Sequence, residues 1–121
     1  MNKTIMTVDD SVSMRMMVSF SLSEAGFGVV EAVNGIDALS KLDEHDVSMV
    51  LADVNMSEMD GIDFLGKVRS HPRHKFTPVI MLTTESDEEI KEKGRQAGAT
   101  GWIVKPFKSE QLIKLILKVL A

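Results

Sequence analysis

Five short apolar runs constrain the fold more than any other feature of this chain. Thr4–Val8, Gly28–Ala32, Met49–Asp53, Val79–Thr83 and Gly101–Val104 are each four or five residues long, several nearly continuous in Val, Ile, Leu or Met. Runs that are apolar at almost every position, and not at alternate ones, suit strands covered on both faces. Between them lie stretches with helical spacing, at Ser13–Ala25, Ile36–Glu44, Gly61–Ser70, Asp87–Ala97 and Glu110–Leu120. Gly26 and Gly98 stand at helix stop positions, and "SDEE" at Ser86–Glu89 reads as a capping box. Strand then helix, five times over, means an α/β domain with a parallel sheet, right-handed crossovers and helices on both faces.

A chain of 121 residues can bury a full core as one domain, and residues 1–121 are expected to form that domain alone, with no output domain. Hydrophobic residues at 44% and charged residues at 26% are globular values that argue against disorder. No apolar stretch approaches the roughly 20 residues that cross a bilayer, and "TIMTV" ends at Asp9 before it could serve as a signal-peptide core. A cytoplasmic protein without membrane insertion is expected, and the absence of cysteine agrees with a reducing compartment. The net charge of −4 argues against a nucleic-acid surface.

In an open parallel sheet, functional groups gather at the carboxyl ends of the strands. This sequence puts Asp9 and Asp10 after the first strand, Asp53 at the end of the third, Thr83 at the end of the fourth, and Lys105 then Pro106 after the fifth. Like charges crowded together are costly unless a cation neutralises them. Oxygen ligands with no His or Cys nearby suit Mg²⁺ or Mn²⁺ better than zinc. The edge thus reads as a divalent-metal site with an acidic nucleophile, flanked by a lysine and a threonine able to bind an anionic group on that carboxylate.

The segments "VDDS" at Val8–Ser11, "DVNMSEMDG" at Asp53–Gly61, "MLTTE" at Met81–Glu85 and "GATGWIVKPF" at Gly98–Phe107 occur in this order at successive strand ends. Together they resemble the receiver domains of two-component signalling, and within that family its stand-alone chemotaxis regulators. The resemblance spans essentially the whole chain and implies a single-domain (βα)5 flavodoxin-like sheet in the order 2-1-3-4-5. It implies Asp53 as phosphoacceptor, taking a phosphoryl group from the phosphohistidine of a chemotaxis-type sensor histidine kinase. Asp10, Asp53 and the backbone carbonyl of Asn55 would bind Mg²⁺, with Asp9 acting mostly through a metal-bound water. Lys105 and Thr83 would bond phosphoryl oxygens, Trp102 would turn into the space that Thr83 leaves, and the Lys105–Pro106 peptide bond would be cis.

The surface of the fourth helix, fifth strand and fifth helix would then bind the flagellar motor switch. Such a protein is a signalling module, likened to an enzyme only by its self-catalysed phosphotransfer and autodephosphorylation, and is expected as a monomer. Asn55 and Glu85 match the stand-alone chemotaxis members of enteric bacteria at positions that influence dephosphorylation, which favours a short-lived signal and leaves room for a phosphatase. Ser57 stands where most members carry proline, and Trp102 where they carry tyrosine or phenylalanine.

Other readings compete. Within the family, a phosphate sink or relay shuttle would need no motor contact. An aspartate-nucleophile phosphohydrolase would want an acid where Asn55 stands, and a flavin carrier would want a Ser, Thr and Gly loop where Asp9 and Asp10 stand. Taken singly, Asp9 or Asp10 reads as a cap for the first helix, Lys105 as a surface lysine, Thr83 as a β-branched strand residue and Trp102 as a static core aromatic. Met14, Met16 and Met17 read as core filler, and the apolar last helix as a broad core face. His45, His71 and His74 lack metal-ligand spacing. Gly94 inside the fourth helix costs about 1 kcal/mol relative to alanine and reads as a weak point in that segment.

Overall fold

A computed structural model describes residues 3–56, 58–84 and 88–120. The elements alternate as β1 (Thr4–Val8), α1 (Val12–Glu24), β2 (Gly28–Ala32), α2 (Gly35–Glu44), β3 (Met49–Asp53), α3 (Gly61–Arg69), β4 (Val79–Thr83), α4 (Glu88–Ala97), β5 (Gly101–Val104) and α5 (Ser109–Leu120). All paired strands run parallel, in the order β2-β1-β3-β4-β5. This is the (βα)5 order that the resemblance to receiver domains implied. The order explains the apolar pattern, since β3 and β4 lie inside the sheet and are buried at every residue, whereas the edge strands β2 and β5 are mostly half-exposed.

Side chains along a strand alternate between faces, and the two cores follow that alternation. Met6, Val50, Ala52, Val79 and Met81 join Ala38, Leu42, Phe64, Leu65 and Val68 of α2 and α3 on one face. Ile5, Met49, Leu51, Ile80 and Leu82 join Val18 and Leu22 of α1 and Leu112 and Ile116 of α5 on the other. The methionines divide accordingly. Met6, Met49 and Met81 are fully buried, but Met16 and Met17 of α1 are exposed, so the reading of the α1 methionines as core filler fails for those two. The last helix does use a core face, while Leu117 remains 55% exposed.

Helix ends differ from the sequence expectation by a residue because side-chain caps decide them. Ser11 is the N-cap of α1 and accepts from the Met14 amide, so neither Asp9 nor Asp10 is spent on capping. Asn34 and Asp60 cap α2 and α3 in the same way. Gly26 and Gly98 take positive φ angles of 92° and 103°, in keeping with their place after helices. The capping box at Ser86–Glu89 falls largely outside the described residues.

Gly94 proves to be a packing requirement, not a weak point. A Cβ there would lie 2.2 Å from Cζ2 of Trp102, so the indole occupies the space that a side chain on α4 would need. Gly94→Ala should therefore lower Tm even though alanine has the better helix propensity by about 0.8–1.0 kcal/mol. Adding Trp102→Leu to that variant should recover part of the loss, giving a non-additive cycle by thermal denaturation. A Tm at or above wild type for the single variant would show that the indole can step aside freely.

Candidate functional site

The carboxyl edge of the sheet brings together four of the residues singled out in the sequence. Asp9 follows β1, and its backbone N–H donates to the Ala32 carbonyl of β2 at 3.2 Å, which extends the ladder into the loop. The Asp9 carboxylate accepts from the Ser11 amide at 2.9 Å. Asp53 ends β3, and its Oδ1 accepts from the Asn55 amide at 3.0 Å. Asp9 and Asp53 are buried, Asp10 is exposed, and each of the three offers an oxygen within 4.8 Å of the others.

Lys105 reaches this cluster from the end of β5. Its ammonium donates to Asp53 Oδ2 at 3.0 Å and stands 3.6 Å from Asp9 Oδ2, with 12% of the side chain exposed. Its stem is thus enclosed and its charge is spent on the acids, not on water. The backbone fixes it there, because the Lys105 N–H donates to the Thr83 carbonyl at 2.7 Å; the Lys105–Pro106 peptide bond that follows is cis.

Thr83 is fully buried at the last position of β4, opposite Val104 of β5. Trp102 pairs with Met81, two residues earlier on β4, and packs against the core cluster that also holds Ile90 and Ala97 of α4. Alternation along the strands therefore places Thr83, Met81 and Trp102 on the α4 face of the sheet, while Asp53 falls on the α1 and α5 face. Trp102 is not part of the acidic cluster itself. Glu85 and Ser57 lie outside the described residues.

The loop from Asp53 to α3 closes tightly under the site. The Gly61 N–H donates to the Val54 carbonyl at 2.8 Å, and a Cβ on Gly61 would come within 2.6 Å of the Asp53 carbonyl oxygen. No side chain fits there without moving the strand end that carries Asp53. Glu58 in the same loop holds a left-handed φ of 73°, a conformation that costs a non-glycine residue on the order of 1 kcal/mol.

Sequence reasoning missed Arg69. Its Nε and Nη2 both donate to the Gly98 carbonyl, at 3.1 and 2.8 Å, and Nη1 donates to the Thr77 carbonyl at 2.7 Å. The end of α3 is thereby tied to the turn after α4, and burial lowers the Arg69 pKa from its ordinary value. No sequence signal separates such an arginine from a surface one. The histidines are structural at two positions: His74 is buried between the Leu42 carbonyl and the Thr77 hydroxyl, and His71 pairs with Asp43 at 2.7 Å.

Burial pushes the Asp9 carboxyl above its ordinary value, and the charges of Asp53 and Asp10 add to the rise, against the lowering pull of the Ser11 amide and the Lys105 ammonium. A native carboxyl that holds its proton more readily than the unfolded one costs stability as pH rises from the unfolded value, near 3.8, through the raised native value. In chelator, Asp9→Asn should therefore melt above wild type at about pH 7, with the gap closing as the pH falls toward about 4. A gap that widens on acidification, followed by thermal denaturation, would contradict this origin.

The carboxyl edge of an open parallel sheet thus holds two buried aspartates, a third exposed one and an enclosed lysine. The chain belongs to the response regulator receiver domain family, whose model matches residues 5–117. It is 41% identical over 117 residues to the chemotaxis protein CheY1 of Helicobacter pylori, covering 95% of this chain and 94% of that protein. The solved structure of the Vibrio cholerae chemotaxis protein CheY4 is 44% identical, with a TM-score of 0.96 over 98% of this chain and 99% of that one. At 22% identity, the receiver domain of a Pseudomonas aeruginosa sensor histidine kinase shares the fold, with a TM-score of 0.91 over 99% and 98% of the two chains, and its structure has a magnesium ion coordinated in the active-site cleft. No helix among the described residues is long and apolar enough to cross a membrane.

Proposed function

We propose that this receiver domain is a cytoplasmic, monomeric chemotaxis response regulator that accepts a phosphoryl group on Asp53 from a sensor histidine kinase and signals by binding the flagellar motor switch. The observation that carries the reading is the pairing of Lys105 with Asp53 inside a cluster of three carboxylates. A buried carboxylate held against an ammonium is shielded from water and fixed in place, which suits it to attack phosphorus. Attack by an Asp53 oxygen forms a P–O bond as the P–N bond of the donor phosphohistidine breaks, and the departing imidazole nitrogen keeps the electron pair.

The donor set fits a hard divalent cation. Asp9, Asp10 and Asp53 offer only oxygens, within 4.8 Å of one another, and Asp53 is followed two residues later by the Asn55 carbonyl as a further oxygen donor. Mg²⁺, or Mn²⁺, held there would offset the charge of the incoming phosphoryl oxygens. Asp9, mostly buried and bonded to the Ser11 amide, would act through water and hold the geometry, while Asp10 and Asp53 face the ion.

On phosphorylation the Lys105 ammonium would pass from the carboxylate to a phosphoryl oxygen, and the Thr83 hydroxyl would take another. Both residues meet the α4 face through the backbone bond from Lys105 to Thr83 and through Trp102 beside Met81. The output surface would be that of α4, β5 and α5, where Trp102, Val104, Gln111, Lys114, Leu115 and Lys118 line a groove. The modified and unmodified forms then differ in population, biased by one local charge.

Intact mass after incubation with acetyl phosphate and Mg²⁺ tests the reading. Wild type should gain one phosphoryl group, and both Asp53→Asn and added chelator should abolish the gain. A wild-type protein that gains nothing, or an Asp53→Asn variant that gains as much, would overturn it. Mg²⁺ at 100 times its Kd should also stabilise the native protein by about 2.7 kcal/mol.

A further inference from the structure

Arg15 sits on α1 outside the acidic cluster, yet its side chain is only 13% exposed and its guanidinium joins three segments. Nη1 donates to the backbone carbonyl of Asp9 at 2.7 Å, and Nε donates to Glu31 Oε1 on β2 at 3.1 Å. The Asp9 carbonyl belongs to the peptide unit that links Asp9 to Asp10. Gripping that unit sets the direction in which the chain leaves Asp9, and hence where Asp10 presents its carboxylate. The other end of the residue is already fixed, since the Asp9 N–H donates to the Ala32 carbonyl.

Arg15 donates to a backbone carbonyl and to Glu31, whereas the Lys105 ammonium stands beside the Asp53 and Asp9 carboxylates. Three acids within 4.8 Å repel one another. A loop bearing two of them would relax outward unless something held its backbone. A planar guanidinium can bridge two acceptors at a fixed angle, which an ammonium on a flexible stem does poorly.

We infer that Arg15, oriented by Glu31, is a positioning residue that fixes the Asp9–Asp10 peptide unit and thereby sets the affinity of the acidic cluster for its divalent cation. The inference rests on the cation-dependent reading of the site given above. Outer residues that orient metal ligands typically change metal affinity by 10–100-fold when substituted, whereas an ordinary exposed ion pair changes stability slightly and affinity not at all.

The test uses the full chain as wild type, Arg15→Lys, Arg15→Gln and Glu31→Gln, with Mg²⁺ Kd from calorimetric titration and Tm in chelator measured for each. Both Arg15 variants should bind Mg²⁺ about 10-fold more weakly or worse, with chelated Tm close to wild type. Lysine should fail to rescue because it keeps the charge and loses the bridge. Glu31→Gln should weaken binding in the same direction by less. If Arg15→Gln does not fold, Arg15→Lys and Glu31→Gln carry the comparison, since Glu31 is half exposed and its loss leaves the core intact.

Affinities within twofold of wild type across the variants, or full rescue by lysine, would overturn the positioning role and leave the site reading standing. A wild-type protein that binds no Mg²⁺ would overturn both.

Discussion

The contact between Lys105 and Asp53, with Asp9 just beyond it, is the interaction that the rest of this structure serves. Two carboxylates that the fold removes from water would be untenable alone, and a single ammonium 3.0 Å from one and 3.6 Å from the other makes their burial possible. That ammonium arrives from β5, the acids from β1 and β3, and only a parallel sheet delivers all three strand ends to one edge. Burial, ahead of the charges of Asp53 and Asp10, is what raises the Asp9 pKa, and the three acids offer the oxygen donors that the proposed divalent ion would use.

The two faces of the sheet divide the remaining work. The α1 and α5 face carries Asp53 and is firmly packed, with Val18, Leu22, Leu112 and Ile116 all buried. The opposite face carries Thr83 and Trp102 toward α4, and α4 buries only Gly94 fully, against four buried residues in α3. Segments that move on signalling are drawn from parts of a fold with few fully buried residues, which fits the part that α4 takes in the proposed output surface. What α4 does have is specific: the indole of Trp102 in the gap at Gly94, and the Arg69 guanidinium on the Gly98 carbonyl just past its end. The first meets the middle of the helix and the second pins its exit.

Much of this was legible in the sequence because the physics is local. Near-continuous apolar runs told buried strands from amphipathic ones, and all five strands have the residues expected. Placing acids and a lysine at strand ends needed only the topology, which is why Asp9, Asp10, Asp53 and Lys105 could be gathered before any contact was known. What stayed hidden depends on where side chains reach across the fold. Gly94 looked like a defect in α4 until Trp102 was seen against it. Arg15 and Arg69 drew no notice in the sequence, because a guanidinium that reaches a backbone carbonyl leaves no periodic trace. Met16 and Met17 fell on the exposed side of α1, where hydrophobicity alone could not place them.

Reductive trapping offers the most direct test of Asp53 as the group that carries the phosphoryl. Borohydride reduces an acyl phosphate of aspartate to homoserine, and sequencing of the digested protein by mass spectrometry then locates the converted residue. Homoserine at position 53 after incubation with a phosphoryl donor and Mg²⁺, and at no other acid, is the expected result. Conversion at Asp9, at Asp10 or nowhere would contradict the account, since it would mean that the carboxylate paired with Lys105 is not the one the site has prepared.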